Sequence, residues 1–121
     1  MISGIGIDLI EIDRVLKACK KESFLTRIYT EKEIELIKAD KVKAAGNFAV
    51  KEAVAKVFAS GFRGFRPIDI EVLRDDLGRP YVNLYGKVKA LAKEQGIVRI
   101  HVSISYTRDY SNAFAVGERE I

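Results

Sequence analysis

The chain is short of cysteine, of long apolar runs and of like-charged tracts, and each shortage removes a class of protein. Cys19 is the only cysteine among 121 residues. Nothing within the chain can pair with it, and no zinc site can be built from it. No apolar run approaches the length of a membrane span, so no membrane partner is expected. Met1-Ile2-Ser3-Gly4 puts no basic segment ahead of an apolar one. That start does not read as a signal peptide, and the cytoplasm is the expected compartment. Internal repeats, low-complexity tracts and Pro/Gly/Ser linkers are missing too, so one domain over residues 1–121 is expected.

What is present is a globular composition, with 48% hydrophobic residues and a net charge of +4. A mild basic excess suits an acidic partner or a phosphate-bearing ligand. The basic residues are mixed with acidic ones, as in Lys20-Lys21-Glu22 and Thr30-Glu31-Lys32-Glu33. No basic-aromatic platform stands out, so nucleic acid is not an expected partner. A small basic nucleic-acid-binding module is nevertheless the rival reading from another class.

Hydrophobic spacing gives the elements. Ile2 to Ile12 reads as a strand, with Ile5, Ile7 and Leu9 on one face and Gly4, Gly6 and Asp8 on the other. Asp13 is the expected N-cap of a helix through Arg14, Val15, Leu16 and Ala18. Thr30-Glu31-Lys32-Glu33 is a capping-box signature. A long helix is expected from Val42 to Phe58, ended by Gly61 and Gly64. Ile68–Leu73 and Tyr81–Leu84 read as a hairpin about the turn Asp76–Pro80. A helix from Gly86 to Lys93 and strands at Ile97–Ser105 and Asn112–Val116 complete the order. The pattern predicts an α+β domain with a mostly antiparallel sheet packed against helices.

Asp8 carries a charge where a buried strand would ordinarily continue. Glu52 and Lys56 lie four apart in Phe48-Ala49-Val50-Lys51-Glu52-Ala53-Val54-Ala55-Lys56 and share one helix face. Two carboxylates and an ammonium can hold a divalent cation and a phosphate together, since Mg²⁺ takes one or two carboxylates plus phosphate oxygens. Gly4 and Gly6 would let a phosphate approach the strand. The plainer readings are an exposed i,i+4 pair worth about 0.2–0.5 kcal/mol for Glu52 and Lys56, and a strand-end carboxylate bonded to backbone donors for Asp8. Lys51 is expected in solvent. Ser105, Tyr106 and Thr107 end a strand with hydroxyls and backbone donors for a ligand, or form an ordinary amphipathic strand end. His101 is expected to be structural. No Ser-His-Asp order, GxGxxG or P-loop occurs.

Four segments together resemble a known family: Gly4 to Arg14, Phe48 to Lys56, the Gly78-Arg79-Pro80 turn and His101-Val102-Ser103-Ile104-Ser105. In order and spacing they are similar to holo-(acyl-carrier-protein) synthases, the small discrete 4′-phosphopantetheinyl transferases. The resemblance implies transfer of phosphopantetheine from coenzyme A to a serine of apo acyl carrier protein, leaving adenosine 3′,5′-bisphosphate, in fatty acid biosynthesis. It implies a homotrimer with active sites between subunits. It assigns Asp8 and Glu52 to Mg²⁺ and Lys56 to the pyrophosphate. Coenzyme A falls to Gly78, Arg79, Pro80, Ser105, Tyr106 and Thr107. Arg14, with Lys17, Lys20 and Lys21 on or near the same helix, would face the acidic carrier protein. The chain departs from the family at Tyr106, often histidine, and at Asn47, often arginine; both family residues help hold coenzyme A. Those departures motivate a further alternative, a catalytically weak relative.

Overall fold

The computed structural model describes residues 1–59 and 64–121. Gly61, expected to help end the long helix, lies outside them. The elements are β1 (Ile2–Glu11), α1 (Ile12–Ala18), α2 (Glu22–Ile28), α3 (Glu31–Ala39), α4 (Val42–Val57), a 3₁₀ turn (Pro67–Asp69), β2 (Ile70–Arg74), β3 (Pro80–Leu84), α5 (Gly86–Glu94), β4 (Ile97–Tyr106) and β5 (Tyr110–Arg119). The α+β expectation holds, with every strand pair antiparallel. Among the described residues the strands form two sheets, of order β1-β5-β4 and β2-β3.

Helix α4 lies across the larger sheet and organises both cores. One face of Ala49, Val50, Ala53, Val54 and Val57 packs against Ile70, Val72, Val88, Ala113 and Ala115. The α4 start, through Ala44 and Ala45, packs against Ile12, Val15, Ile28, Tyr29 and Ile37. Small residues on α4 and β5 bring helix and sheet backbones close. Gly4 and Gly6 complete that approach. A Cβ on Gly6 would lie 1.8 Å from the Ala53 carbonyl oxygen, and one on Gly4 2.3 Å from that of Val57. These glycines therefore clear room for α4, not for a phosphate as the sequence suggested.

That packing decides which face of β1 turns inward. The glycine face points inward, and Ile5, Ile7 and Leu9 are 61%, 55% and 60% exposed. Register puts Phe114 beside Ile7 on the same outer face.

Local chemistry explains the other differences. The Thr30 capping box is formed, the side chain accepting from Glu33 N–H at 3.3 Å while Glu33 Oε1 accepts from Thr30 N–H at 3.1 Å. Helix α1 starts one residue before Asp13, with Glu11 at the N-cap and no side-chain cap bond. Ile12 N–H is already satisfied by the Asp109 carbonyl at 2.9 Å, and burial of Ile12 and Val15 draws both into the helix. Ile68 belongs to the 3₁₀ turn begun by Pro67, so β2 starts at Ile70. Helix α4 stops at Phe58, and Ala59 turns the chain with φ 58°.

Candidate active site

Strand and helix geometry bring Asp8 and Glu52 together. Gly4 lies against Val57, and Gly6 against Ala53 and Lys56. Two strand residues advance about 6.6 Å and one helical turn about 5.4 Å, so each β1 pair matches one turn of α4. Asp8, the next inward residue of β1, thus falls beside the turn that carries Glu52.

Electrostatics carry the same message. Glu52 is half-buried, and burial first, then the charge of Asp8, raises its carboxyl above the usual carboxylate range; Lys56 opposes the rise. Lys56 gives its hydrogen bonds to β1. Nζ donates to the Ile7 carbonyl at 2.7 Å and to Asp8 Oδ1 at 3.3 Å. Among the described residues no ion pair joins Lys56 to Glu52, so the reading of these two as a simple i,i+4 pair is replaced by a bridge between helix and strand. Asp8 has a cation partner and is not merely a strand-end carboxylate on backbone donors.

Two hard oxygen donors, mutually repelling and partly withdrawn from water, form a set that suits Mg²⁺ when a ligand supplies further oxygens. No group of three or more His, Cys, Asp or Glu side chains able to hold a metal occurs among the described residues. A two-carboxylate site matches magnesium's habit of keeping waters and phosphate oxygens.

A groove of about 380 Å³ opens next to this cluster, lined by Leu9, Arg14, Phe24, Phe48 and Tyr110 among others. Leu9 follows Asp8 in the chain and Phe48 lies one turn before Glu52, and neither carboxylate lines the groove itself. Sequence reading did not name Phe48 or Tyr110 for this place. The signal for Phe48 was its helical spacing from Glu52. Arg14 borders this groove, whereas Lys17 and Lys20 border a different cavity across α1.

The other expected ligand residues lie apart within one chain. Gly78, Arg79 and Pro80 sit at the tip of the β2–β3 hairpin, where Arg79 Nε donates to Asp75 Oδ2 at 3.0 Å. Among the described residues no hydrogen bond or ion pair links that tip to Asp8, Glu52 or Lys56. Ser105 is on the outer sheet face, in register with Asn112 and beyond it Leu9. Thr107 closes the β4–β5 turn, its N–H donating to the Tyr110 carbonyl at 2.8 Å and its hydroxyl accepting from Tyr110 N–H at 3.0 Å. Tyr106 projects to the inner face, where a Cβ on Gly46 would lie 2.1 Å from its hydroxyl. Burial raises the Tyr106 hydroxyl pKa, and neighbouring Arg74 opposes the rise.

The Lys51 expectation is corrected. Lys51 is 1% exposed, not solvated. Its ammonium donates to Glu33 Oε1 at 2.8 Å, to the Pro67 carbonyl at 3.0 Å and to the Ile70 carbonyl. Residue 51 leaves the Glu52 face because one step around a helix turns about 100°. Asn47 is fully buried, and Nδ2 donates to Glu33 Oε2 and to the Val72 carbonyl, each at 2.9 Å. It braces α4 against α3 and β2. His101 Nε2 lies 2.9 Å from Glu118 Oε1, in keeping with a structural histidine.

Comparison with known proteins converges on one group. A family model for the 4′-phosphopantetheinyl transferase superfamily matches residues 4–115. A holo-[acyl-carrier-protein] synthase of Lachnoclostridium phytofermentans is 59% identical over 118 residues, covering 98% of this chain and 97% of the relative. The crystal structure of the Neisseria meningitidis holo-[acyl-carrier-protein] synthase superposes with a TM-score of 0.89 at 34% identity, covering 98% of this chain and all of that one. The Helicobacter pylori enzyme, solved in complex with coenzyme A, gives 0.84 at 31% identity over 94% of this chain and 99% of its own. With the match spanning the strand that carries Asp8 and the helix that carries Glu52 and Lys56, the chain belongs to the 4′-phosphopantetheinyl transferase superfamily and, within it, to the small holo-(acyl-carrier-protein) synthases.

Proposed function

We propose that the protein transfers 4′-phosphopantetheine from coenzyme A to a serine of apo acyl carrier protein, with Mg²⁺, on the route to fatty acids. The observation that carries this reading is the convergence of Asp8, Glu52 and Lys56 across the α4–β1 contact. Asp8 and Glu52 would hold the metal, which when bound supplies Lewis-acid polarisation and charge neutralisation at a diphosphate. Lys56 remains available to a phosphate oxygen, because its side chain is 51% exposed while it bonds to β1. The serine oxygen forms a bond to the phosphorus next to pantetheine. The bond from that phosphorus to the leaving phosphate breaks, releasing adenosine 3′,5′-bisphosphate. The serine proton goes to Glu52 or to a water. Arg14, Lys17, Lys20 and Lys21 are exposed and complement an acidic carrier.

The protein works as a homotrimer in this reading. Its support is the outer sheet face, where Ile5, Ile7, Leu9 and Phe114 form an exposed apolar patch of the kind that subunit interfaces bury. Assembly would also let the Gly78–Pro80 hairpin tip and Ser105 of one subunit serve the carboxylates of another, which they do not reach within one chain. Coenzyme A is then held between subunits.

Mass spectrometry of apo carrier protein incubated with this chain, coenzyme A and Mg²⁺ is the direct test. A mass gain of one phosphopantetheine that vanishes without the metal supports the proposal. An unmodified carrier at full occupancy of both ligands rejects it.

A further inference from the structure

We infer that the cavity between α1 and α3, on the side of α1 away from the Asp8–Glu52 site, binds a single-chain anionic amphiphile such as a fatty carboxylate. The cavity measures about 600 Å³, within the size of small-molecule sites, roughly 300–1,000 Å³. Its floor is apolar, made by Leu16, Leu25 and Ile37. Its rim carries four ammonium groups, on Lys17, Lys20, Lys38 and Lys41, against one carboxylate, Asp13. All four lysines are exposed, whereas Ile37 is buried and Leu16 and Leu25 are half-buried.

An apolar floor inside a ring of like charge asks for a ligand with a greasy body and one negative end. The body replaces water over the leucines and Ile37, and the head meets the lysines, whose flexible stems let them close over it. A neutral apolar molecule would leave the ammonium groups unused. A cationic amphiphile would meet repulsion from all but Asp13. The cavity is a concave space bounded by three helices and the start of α4, which favours a small molecule over a flat protein surface.

Cys19 lines the same cavity and is the chain's sole thiol, so it reports occupancy without an added probe site. Titration calorimetry with laurate below its micelle threshold should show one site per chain. Dodecyltrimethylammonium, of equal chain length and opposite charge, should bind at least tenfold more weakly. Saturating laurate should slow alkylation of Cys19 by maleimide at least fivefold. The variant K38E/K41E changes two exposed charges outside the proposed carrier-facing patch and should lose laurate affinity at least tenfold. Should that variant misfold, the laurate-against-cation comparison and Cys19 protection on the parent chain still decide.

Equal binding of both amphiphiles, uptake that never saturates, or unprotected Cys19 would each overturn the inference. Cys19 protection by apo carrier protein but not by laurate would overturn it in favour of a protein partner. None of these readouts requires transfer activity. One consequence does rest on the proposed function: because Lys17 and Lys20 belong to both surfaces, laurate should raise the KM for carrier protein and leave that for coenzyme A unchanged.

Discussion

Lys51 and Glu33 meet at 2.8 Å with side chains 1% and 0% exposed, and the pair locks α4 to α3. Burial pushes Glu33 up and Lys51 down, each towards its neutral form, and their mutual attraction opposes both shifts. Breaking such a pair leaves a buried charge alone, which costs about 3–5 kcal/mol. K51M should therefore lower the free energy of urea unfolding by about that amount. K51M/E33Q, which removes both charges, should recover a large part of it. A single variant as stable as the parent would show that the pair does not hold α4.

Gly6 sets how closely α4 approaches β1. In G6A the new methyl group collides with the Ala53 carbonyl. Overpacking of this kind costs about 1–3 kcal/mol, and here backbone must yield to backbone. Because the same contact aligns Asp8 with Glu52, transfer activity should fall at least tenfold in the fraction that remains folded. Thermal unfolding and a rate assay at a temperature where the variant is folded separate the two effects.

D8N and E52Q each remove a proposed metal ligand. Either change should cut transfer at least a hundredfold, about 2.7 kcal/mol of barrier. Mg²⁺ should raise the Tm of the parent, and either change should abolish that rise. Without metal, E52Q should be at least as stable as the parent, since it relieves repulsion between neighbouring carboxylates. Full activity in either variant rejects the assigned roles.

Glu71 makes stability depend on acid pH. Burial alone would raise its carboxyl pKa, but hydrogen bonds from Thr30, Asn83 and Tyr85 outweigh it and bring the pKa below the usual range. A lowered folded pKa contributes stability that is present above the unfolded value, near 4.5, and is lost as pH falls through the folded one. E71Q should cost about 1–2 kcal/mol at pH 7. It should also flatten the decline in stability below pH 4.5. An unchanged acid limb in the variant would assign that decline to other carboxylates.

The outer face of the larger sheet makes assembly testable. I7E puts a charge among Ile5, Leu9 and Phe114. Sedimentation should then give a trimer for the parent and a monomer for the variant, with activity lost alongside. A parent chain that is monomeric and fully active rejects the shared-site reading.

Much of this was legible one residue at a time. Thr30 and Glu33 specify their capping box because a helix start needs local acceptors for its free N–H groups. The α4 pattern, the β2–β3 hairpin and the α+β class follow from spacings that depend only on backbone period. Asp8, Glu52 and Lys56 stood out because charges in apolar patterns require partners, and the likeness to a known family named the chemistry. What the linear order left undecided was which side of each element faces inward. Ile5, Ile7 and Leu9 look like a core face, yet they are exposed, because only the glycine side of β1 admits α4 at backbone distance. Lys51 looks like a surface lysine, yet it is buried, because Glu33 and two carbonyls from distant segments satisfy its ammonium. Local preference is encoded in neighbouring residues; the burial of a charge or the exposure of an isoleucine is settled by partners far along the chain, and those are fixed only when the tertiary packing forms.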